Sequence, residues 1–254
     1  MRKYKNYVLI AGILFLLVVG TGCGAGEEEE PVSPTAEPTA EAYLTETFTY
    51  EKEEREYILY LPDAYSDDSS LTLVVYLHSN GWNAKRGMWN TDFNEVAEKY
   101  GFIIVYPEAA PNWNSGQTSF PSPDSDDVSF IKALITEMHN MYNIDLERIY
   151  ATGYSNGGHM AYRLACEASD QIIAIASVAG AMAESVFDTC QPNRSISVLS
   201  IHGTGDTTMP YNGKPGMKSI EESIDFWVSA NACESTAAEA MPDIYPEDES
   251  TIEK

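Results

Sequence analysis

The feature that most constrains the fold is a regular alternation of short apolar runs with amphipathic segments, from about residue 57 to residue 230. The apolar runs are rich in β-branched residues and predict strands that are buried on both faces. The segments between them have helical spacing, as in DFNEVAEKYG and SIEESIDFWVSA. The runs are LTLVVYLH, FIIVYP, RIYATG, IIAIASVAG and ISVLSIHG. The pattern predicts an α/β fold with a mostly parallel central sheet and helices on both faces.

A candidate nucleophile lies where one of these strands meets a helix. Ser155 is the central residue of GYSNG, which follows RIYATG and precedes a helical run. The G-x-S-x-G pattern in a strand–turn–helix setting is typical of a nucleophile elbow, whereas the five residues alone also occur by chance around a structural serine. The glycines at 153 and 157 allow the tight turn that pushes the serine out. We expect Ser155 to be the nucleophile.

A serine hydrolase also needs two donors that stabilise the oxyanion. The backbone N–H of Asn156, at the start of the helix, is the first candidate, because the helix dipole adds to it. The second donor is expected in the LHSNGW loop after an early strand, through the N–H of Ser79 or of its neighbour Asn80, and we select Ser79. His78 in this loop is expected to be structural.

A candidate acid follows the last predicted strand. Asp206 comes after two glycines in SIHGTGD, where a carboxylate can orient an imidazole and stabilise its charged form. Such an aspartate can also cap a turn. His202, four residues earlier, is expected to be structural.

Several spaced motifs carry a family resemblance that is more specific than the elbow alone. The segments YNIDLERIYATGYSNGGHMAYRLACE, AIASVAGAM and IHGTGDTTMPYNG resemble the secreted polyhydroxybutyrate depolymerase and feruloyl esterase family of α/β-hydrolases. The resemblance implies a serine carboxylesterase, without a cofactor, that acts on a hydroxyalkanoate polyester or on feruloyl or acetyl esters of plant cell-wall polysaccharide. It carries over Ser155 as nucleophile and Asp206 as acid.

The catalytic base is the point at which the sequence departs from that pattern. The family places the base histidine in a Gly-Gly-His-Trp-Pro-like segment after the acid, but the four histidines of this chain, at 78, 139, 159 and 202, all precede Asp206. We therefore expect a chain without the last strand and its histidine, and poor turnover. His159, one helical turn beyond Ser155, is expected to be a packed helix residue rather than a substitute base. The alternative function is a catalytically impaired surface protein that binds polyester or polysaccharide.

The N-terminus of the chain predicts export. Residues 1–22 have the basic start and short apolar run of a signal peptide, and Cys23 follows small residues, as at a lipidation site, although Gly20 departs from the usual aliphatic position. Simple secretion and a retained anchor are the alternatives. We expect an acidic, Pro- and Thr-rich tether at 23–46, the domain at 47–233 and an acidic tail at 234–254. The predicted location is extracellular, anchored by lipid.

The remaining composition narrows the partners. Cys166 and Cys190 are one pair that an oxidising compartment would bridge, which leaves Cys233 over; three free thiols are the alternative. No Cys or His spacing suggests a metal site. The net charge of −24 and the lack of a basic patch argue against nucleic acid. The tryptophans at 82, 89 and 113 are expected to line a cleft or to pack in the core or in loops, and the protein is expected to be a monomer.

Overall fold

The computed structural model describes residues 43–109, 111–117 and 125–234. The predicted signal peptide, Cys23, most of the predicted tether and the tail from residue 235 lie outside these ranges. Among the described residues, no helix combines the length and the apolar character that crossing a membrane requires.

Seven strands form one sheet in the order β1-β2-β4-β3-β5-β6-β7. The β1–β2 and β2–β4 pairs are antiparallel, and the other four neighbouring pairs are parallel. The strands are β1 (Tyr43–Tyr50), β2 (Glu53–Tyr60), β3 (Leu71–Leu77), β4 (Phe102–Pro107), β5 (Ile144–Tyr154), β6 (Ala174–Val178) and β7 (Ser197–Ile201). The predicted α/β fold, with a mostly parallel sheet, is confirmed.

Six helices accompany the sheet in the described part of the chain. Their bounds are α1 (Ala84–Trp89), α2 (Phe93–Tyr100), α3 (Asp127–Met141), α4 (Asn156–Glu167), α5 (Glu184–Thr189) and α6 (Ile220–Ala230). Local sequence explains their ends. The side chain of Asp126 accepts the N–H of Ser129 at the start of α3, and α2 stops at Gly101, whose φ of 69° suits glycine.

Two differences from the sequence expectation concern the edges of elements. β1 begins at Tyr43, four residues before the expected start of the domain at residue 47, because this polar segment pairs with β2 along its whole length, from Tyr43↔Tyr60 to Tyr50↔Glu53. The expected tether therefore ends earlier than residue 46. Helices α1 and α5 were not predicted, since six residues are too few to show a helical period.

The far edge of the sheet is apolar. β7 pairs only with β6 among the described residues. Leu199 and Ile201 on β7 are 56% and 52% exposed, whereas the central strands β3 and β4 are almost wholly buried. Within the described part of the chain, β7 is therefore an edge strand with exposed apolar side chains.

A disulfide joins two of the cysteines considered in the sequence. Cys166, near the end of α4, is bonded to Cys190, which follows α5, and their Cα atoms are 5.0 Å apart. The bond ties the helix that follows the candidate nucleophile to the segment before β7. Within the described residues, Cys233 is an exposed free thiol.

Candidate active site

The candidate nucleophile occupies a strained turn between β5 and α4. Ser155 has φ 55° and ψ −112°, a conformation that side-chain-bearing residues rarely adopt. Two hydrogen bonds hold the turn: the N–H of Ser155 donates to Val178 O at 2.8 Å, and Ser155 O accepts the N–H of His159 at 3.0 Å. The side chain is half-buried. This is the backbone of a nucleophile elbow.

The two glycines of the motif are required by close backbone approach. A Cβ on Gly153 would lie 2.5 Å from the carbonyl of Gly157 and 2.8 Å from Leu77 O. A Cβ on Gly157 would overlap Leu77 O and come within 2.9 Å of His78 O. The contacts also show that the loop after β3 lies directly against the elbow.

That approach brings the two candidate oxyanion donors to the same place. Asn156 is the first residue of α4, so its backbone N–H has no partner within the helix. Ser79 follows β3, which pairs with β5 up to Leu77↔Gly153. No hydrogen bond among the described residues uses the backbone N–H of Ser79 or of Asn156. Both amides are available to a ligand oxygen beside Ser155.

Asp206 lies on the same edge of the sheet, two strands away. The N–H of Ser155 reaches β6 at Val178 O, and the N–H of Ala179 reaches β7 at Ile201 O, both at 2.8 Å. The loops after β5, β6 and β7 are therefore in line. Two strand spacings amount to about 10 Å, which leaves room for a ring between Ser155 and Asp206.

Only one of the two carboxylate oxygens of Asp206 is hydrogen bonded to the described part of the protein. Oδ1 accepts the backbone N–H of Thr208 at 2.8 Å and that of Met209 at 3.0 Å, so Asp206 does cap a turn. Oδ2 lies 3.8 Å from His202 Nε2. The side chain is 22% exposed, and Oδ2 can accept a further donor from the cleft.

His78 is a structural residue of the loop after β3. Its Nδ1 is 2.9 Å from Ser79 O, an acceptor only, so Nδ1 carries the proton. Nε2 then accepts the N–H of Ala109 at 3.0 Å. Burial lowers the pKa of His78, and the ring is neutral in this tautomer. Neither nitrogen is free for catalysis.

His159 is buried on the inner face of α4. Its Nδ1 lies 2.8 Å from Ala181 O and 2.9 Å from Ala181 N, so the backbone of Ala181 holds the ring. Burial lowers the pKa of His159 to about 4, and the ammonium of Lys214 acts in the same direction. A base must become a cation during catalysis, which this site opposes.

The other two histidines are held by carbonyl oxygens. His202 Nε2 is 2.8 Å from Met209 O, and the side chain is 1% exposed. His139 Nδ1 is 3.1 Å from Ile144 O, at the end of α3 and the start of β5, the opposite edge of the sheet from Ser155. None of the four imidazole rings is hydrogen bonded to Ser155 or to Asp206.

An aromatic pair flanks the nucleophile. Tyr154, immediately before Ser155, is 40% exposed, and its ring centroid is 5.6 Å from that of Trp82 in the loop after β3. The guanidinium of Arg86 lies 4.9 Å from the Trp82 ring centroid. The two rings are tilted by 36° to each other. Trp89 is 68% exposed.

The amino-acid sequence is similar to a family of known proteins. The sequence model of the BD-FAE family matches residues 58–245. The chain belongs to the BD-FAE family. NocK of Nocardia uniformis, named as an esterase, is 28% identical over 95% of this chain and 81% of its own length. Feruloyl esterase C of Emericella nidulans is 28% identical over 72% of this chain and 64% of its own.

Solved structures support the fold of this BD-FAE chain. The acetyl xylan esterase from Aspergillus awamori superimposes with a TM-score of 0.58 at 16% identity, over 73% of this chain and 79% of that one. The predicted resemblance to feruloyl esterases is confirmed, and by family the chain is an ester hydrolase. The chain spans less than two thirds of the length of the Emericella nidulans feruloyl esterase.

The residues that support the oxyanion loop were not predicted from the sequence. Trp113 is 1% exposed and lies in the core, one of the two places expected for it, but no contact with the loop was expected. The side chain of Asn156 was given no role, yet it bonds to the backbone of Trp113. The PNWN run after β4 contains both a tryptophan and asparagines, but nothing in its spacing connects it to a serine 42 residues later.

Proposed function

We propose that the chain is a serine carboxylic-ester hydrolase that forms its acyl-enzyme on Ser155. The single observation that carries the proposal is the positive φ of Ser155 at a strand–helix turn. The glycines at 153 and 157 lie so close to other backbone atoms that a Cβ would not fit at either position. Strained backbone conformations of this kind cluster at functional sites.

In this proposal the described residues supply the nucleophile, the two oxyanion donors and the acid. Ser155 Oγ attacks the ester carbonyl, and the carbonyl oxygen gains a negative charge that the N–H groups of Asn156 and Ser79 stabilise. The positive end of the α4 dipole adds to this stabilisation. The base takes the Ser155 proton during the attack and gives it to the departing alcohol when the intermediate collapses, which leaves the acyl group on Ser155. Water then attacks the acyl carbon, returns one proton to Ser155 Oγ through the base, and releases the carboxylic acid. Asp206 Oδ2 orients the base and stabilises its protonated form.

We propose further that none of the four histidines of this sequence is that base. The partners of His78, His159, His202 and His139 support this, because each ring already bonds to a backbone group of its own neighbourhood. Loss of the triad histidine costs about 10⁶-fold in turnover, and the oxyanion hole and binding alone retain about 10³–10⁴-fold over water. With these four histidines alone, we expect slow ester turnover.

The proposed substrates are feruloyl or acetyl esters of plant cell-wall polysaccharide, with hydroxybutyrate polyester as the other ester that the resemblance implies. The names of the relatives support the first two. The Trp82–Tyr154 pair also supports them, because flat aromatic side chains pack well against a phenolic ring or a sugar face.

The nucleophile is tested by covalent labelling. Purified protein is treated with an alkyl fluorophosphonate, and the adduct is located by peptide mass spectrometry. We expect an adduct on the peptide that contains Ser155, no adduct in Ser155→Ala, and an unchanged adduct in Ser185→Ala, which alters an exposed serine of α5. An adduct that survives Ser155→Ala would overturn the assignment.

The base is tested by turnover of p-nitrophenyl acetate. We expect slow turnover that His159→Asn and His202→Asn leave unchanged. Fast turnover that one of these substitutions abolishes would identify that histidine as the base and contradict this part of the proposal.

A catalytically impaired binding protein is the second candidate, favoured by the same engaged histidines. Retention on insoluble xylan without fluorophosphonate labelling would support it, and labelling of Ser155 would contradict it.

We also propose export and lipid anchoring at Cys23. The Cys166–Cys190 disulfide supports an oxidising compartment. Growth with an alkyne-tagged fatty acid should label the protein, and Cys23→Ser should abolish the label. Equal labelling of both would exclude Cys23 as the site.

A further inference from the structure

We propose that Trp113 is a positioning residue that aims both oxyanion donors at once. The inference rests on the proposed function, because it concerns the N–H groups that would stabilise the oxyanion. Trp113 touches neither Ser155 nor a ligand position; it acts through the two backbone segments that carry the donors.

The indole ring fixes the donor from the loop after β3. Trp113 Nε1 donates to His78 O at 3.0 Å. His78 O and the N–H of Ser79 belong to the same planar peptide group and point in opposite directions. A hydrogen bond that fixes the carbonyl therefore fixes the direction of the Ser79 N–H, and it also polarises that N–H as a donor.

The backbone of the same residue fixes the second donor. The N–H of Trp113 donates to Asn156 Oδ1 at 3.0 Å, and Trp113 O accepts from Asn156 Nδ2 at 3.3 Å. Asn156 Nδ2 also donates to Ser115 Oγ at 3.1 Å. The Asn156 side chain is thus bound on both sides and is 4% exposed. Its backbone, the first residue of α4, is held in place beside Ser155.

Trp113 is itself anchored by charged groups outside the site. The N–H of Asn114 donates to Asp127 Oδ2 at 2.7 Å, and Arg163 Nη1 donates to Asn114 O at 2.6 Å. Asp127 is fully buried and pairs with Arg55 at 3.2 Å. Trp113 is 1% exposed, and its ring centroid is 5.2 Å from that of His78. The hydrogen bonds that lead from the Arg55–Asp127 ion pair through Trp113 to the two donor segments involve no exposed residue.

Trp113→Phe is the decisive substitution, because it keeps an aromatic ring and removes the indole N–H. The chain offers a matched control in Trp227→Phe: Trp227 is 2% exposed, and its Nε1 has no hydrogen-bond partner among the described residues. Both changes remove similar buried volume, so a purely structural effect would appear in both. Only Trp113→Phe removes a bond to the oxyanion loop.

We expect Trp113→Phe to lower kcat for p-nitrophenyl acetate by about 10-fold with KM unchanged, less than the roughly 10²–10³-fold cost of deleting an oxyanion donor. Trp227→Phe should leave both constants unchanged. A rise in KM without a fall in kcat, or equal losses in the two variants, would overturn the proposal.

A second readout does not depend on turnover and separates this inference from the proposed function. In amide NMR spectra, the Ser79 N–H resonance should move upfield in Trp113→Phe, because the carbonyl of its peptide loses a donor, and should stay in place in Trp227→Phe. An unmoved Ser79 resonance would overturn the inference even if esterase activity is present, and a moved one would support it even if activity is absent.

Asn156→Ala covers the case in which Trp113→Phe does not fold. It removes the bonds to the Trp113 backbone and leaves the indole bond intact. We expect a fall in kcat of about 10-fold, since α4 loses its anchor, and an unmoved Ser79 resonance. An unchanged kcat in this variant would overturn the role of the Trp113 backbone.

Discussion

The two halves of the candidate site are held in different ways. In the nucleophile half, bonds between residues far apart in sequence fix the backbone, as between Trp113 and His78 or between Trp113 and Asn156. In the acid half, Asp206 bonds to Thr208 and Met209, only two and three residues away. One half is part of the core, and the other is a local turn at the end of an edge strand.

Two buried polar atoms in the acid half have no hydrogen-bond partner in the described part of the chain. Ser200 Oγ and His202 Nδ1, at the end of β7, are buried without a hydrogen-bond partner among the described residues. The apolar side chains of Leu199 and Ile201 on the same strand are exposed. In the nucleophile half, by contrast, both nitrogens of His78 and both polar atoms of the Asn156 side chain are bonded. The groups that hold the two proposed oxyanion donors are hydrogen bonded within the described residues, whereas polar atoms at the end of β7 are not.

The largest expected effect compares one glycine from each half. Gly157→Ala places a methyl group against the backbone oxygens of Leu77 and His78, which cannot move without displacing β3, so we expect a loss of about 3 kcal/mol in the free energy of unfolding. Gly203→Ala meets nothing within 4 Å and should cost less than about 0.5 kcal/mol. Urea denaturation measures both. Similar losses in the two variants would erase the distinction between the halves.

A pH-dependent effect of intermediate size belongs to the nucleophile half. Burial lowers the pKa of His159 to about 4, against about 6.5 in the unfolded chain. Between these values the unfolded chain binds a proton that the folded protein does not, so stability is lost as pH falls. His159 should account for about 2 kcal/mol of the loss between pH 7 and pH 5.

His159→Asn measures this contribution, because the amide oxygen can accept the N–H of Ala181 and does not titrate. The urea midpoint of the variant should change less between pH 7 and pH 5 than that of the wild type. Parallel pH dependences would show that His159 is more open to solvent than its 5% exposure implies.

The smallest effect concerns the turn in the acid half. Asp206→Ala removes the acceptor of two backbone N–H groups and should cost about 1–2 kcal/mol. Asp206→Asn keeps Oδ1 and should cost less than about 1 kcal/mol. If Asp206→Asn were as destabilising as Asp206→Ala, the charge at Oδ2, rather than the turn, would hold this half together.

The sequence predicts the parts of the molecule whose physics is local. The strand runs, the G-x-S-x-G turn and the capped helices follow from hydrophobic period, backbone sterics and nearby hydrogen bonds. Ser155 and Asn156 could be proposed from the sequence because their neighbours in sequence are also their neighbours in space. The first four residues of β1, 43–46, were assigned to the tether because a polar edge strand is stabilised by its partner β2 rather than by its own apolar pattern.

The support of the site could not be predicted for the opposite reason. Trp113 and Asn156 are 43 residues apart, and Arg55 and Asp127 are 72 apart. Such pairs are brought together by the order of the strands, which a single sequence leaves open. A tryptophan in a loop gives no local sign of whether it faces a cleft or the core.

The backbone of Ser155 has a consequence for how this protein can change. Glycine is the residue best suited to a φ of 55°, so Ser155→Gly would remove strain and raise the free energy of unfolding by about 1 kcal/mol while it removes the hydroxyl. At this position stability and chemistry select different residues. Under the proposed function, a lineage that no longer needed the hydroxyl would be free to drift to glycine, because serine at this position adds chemistry rather than stability.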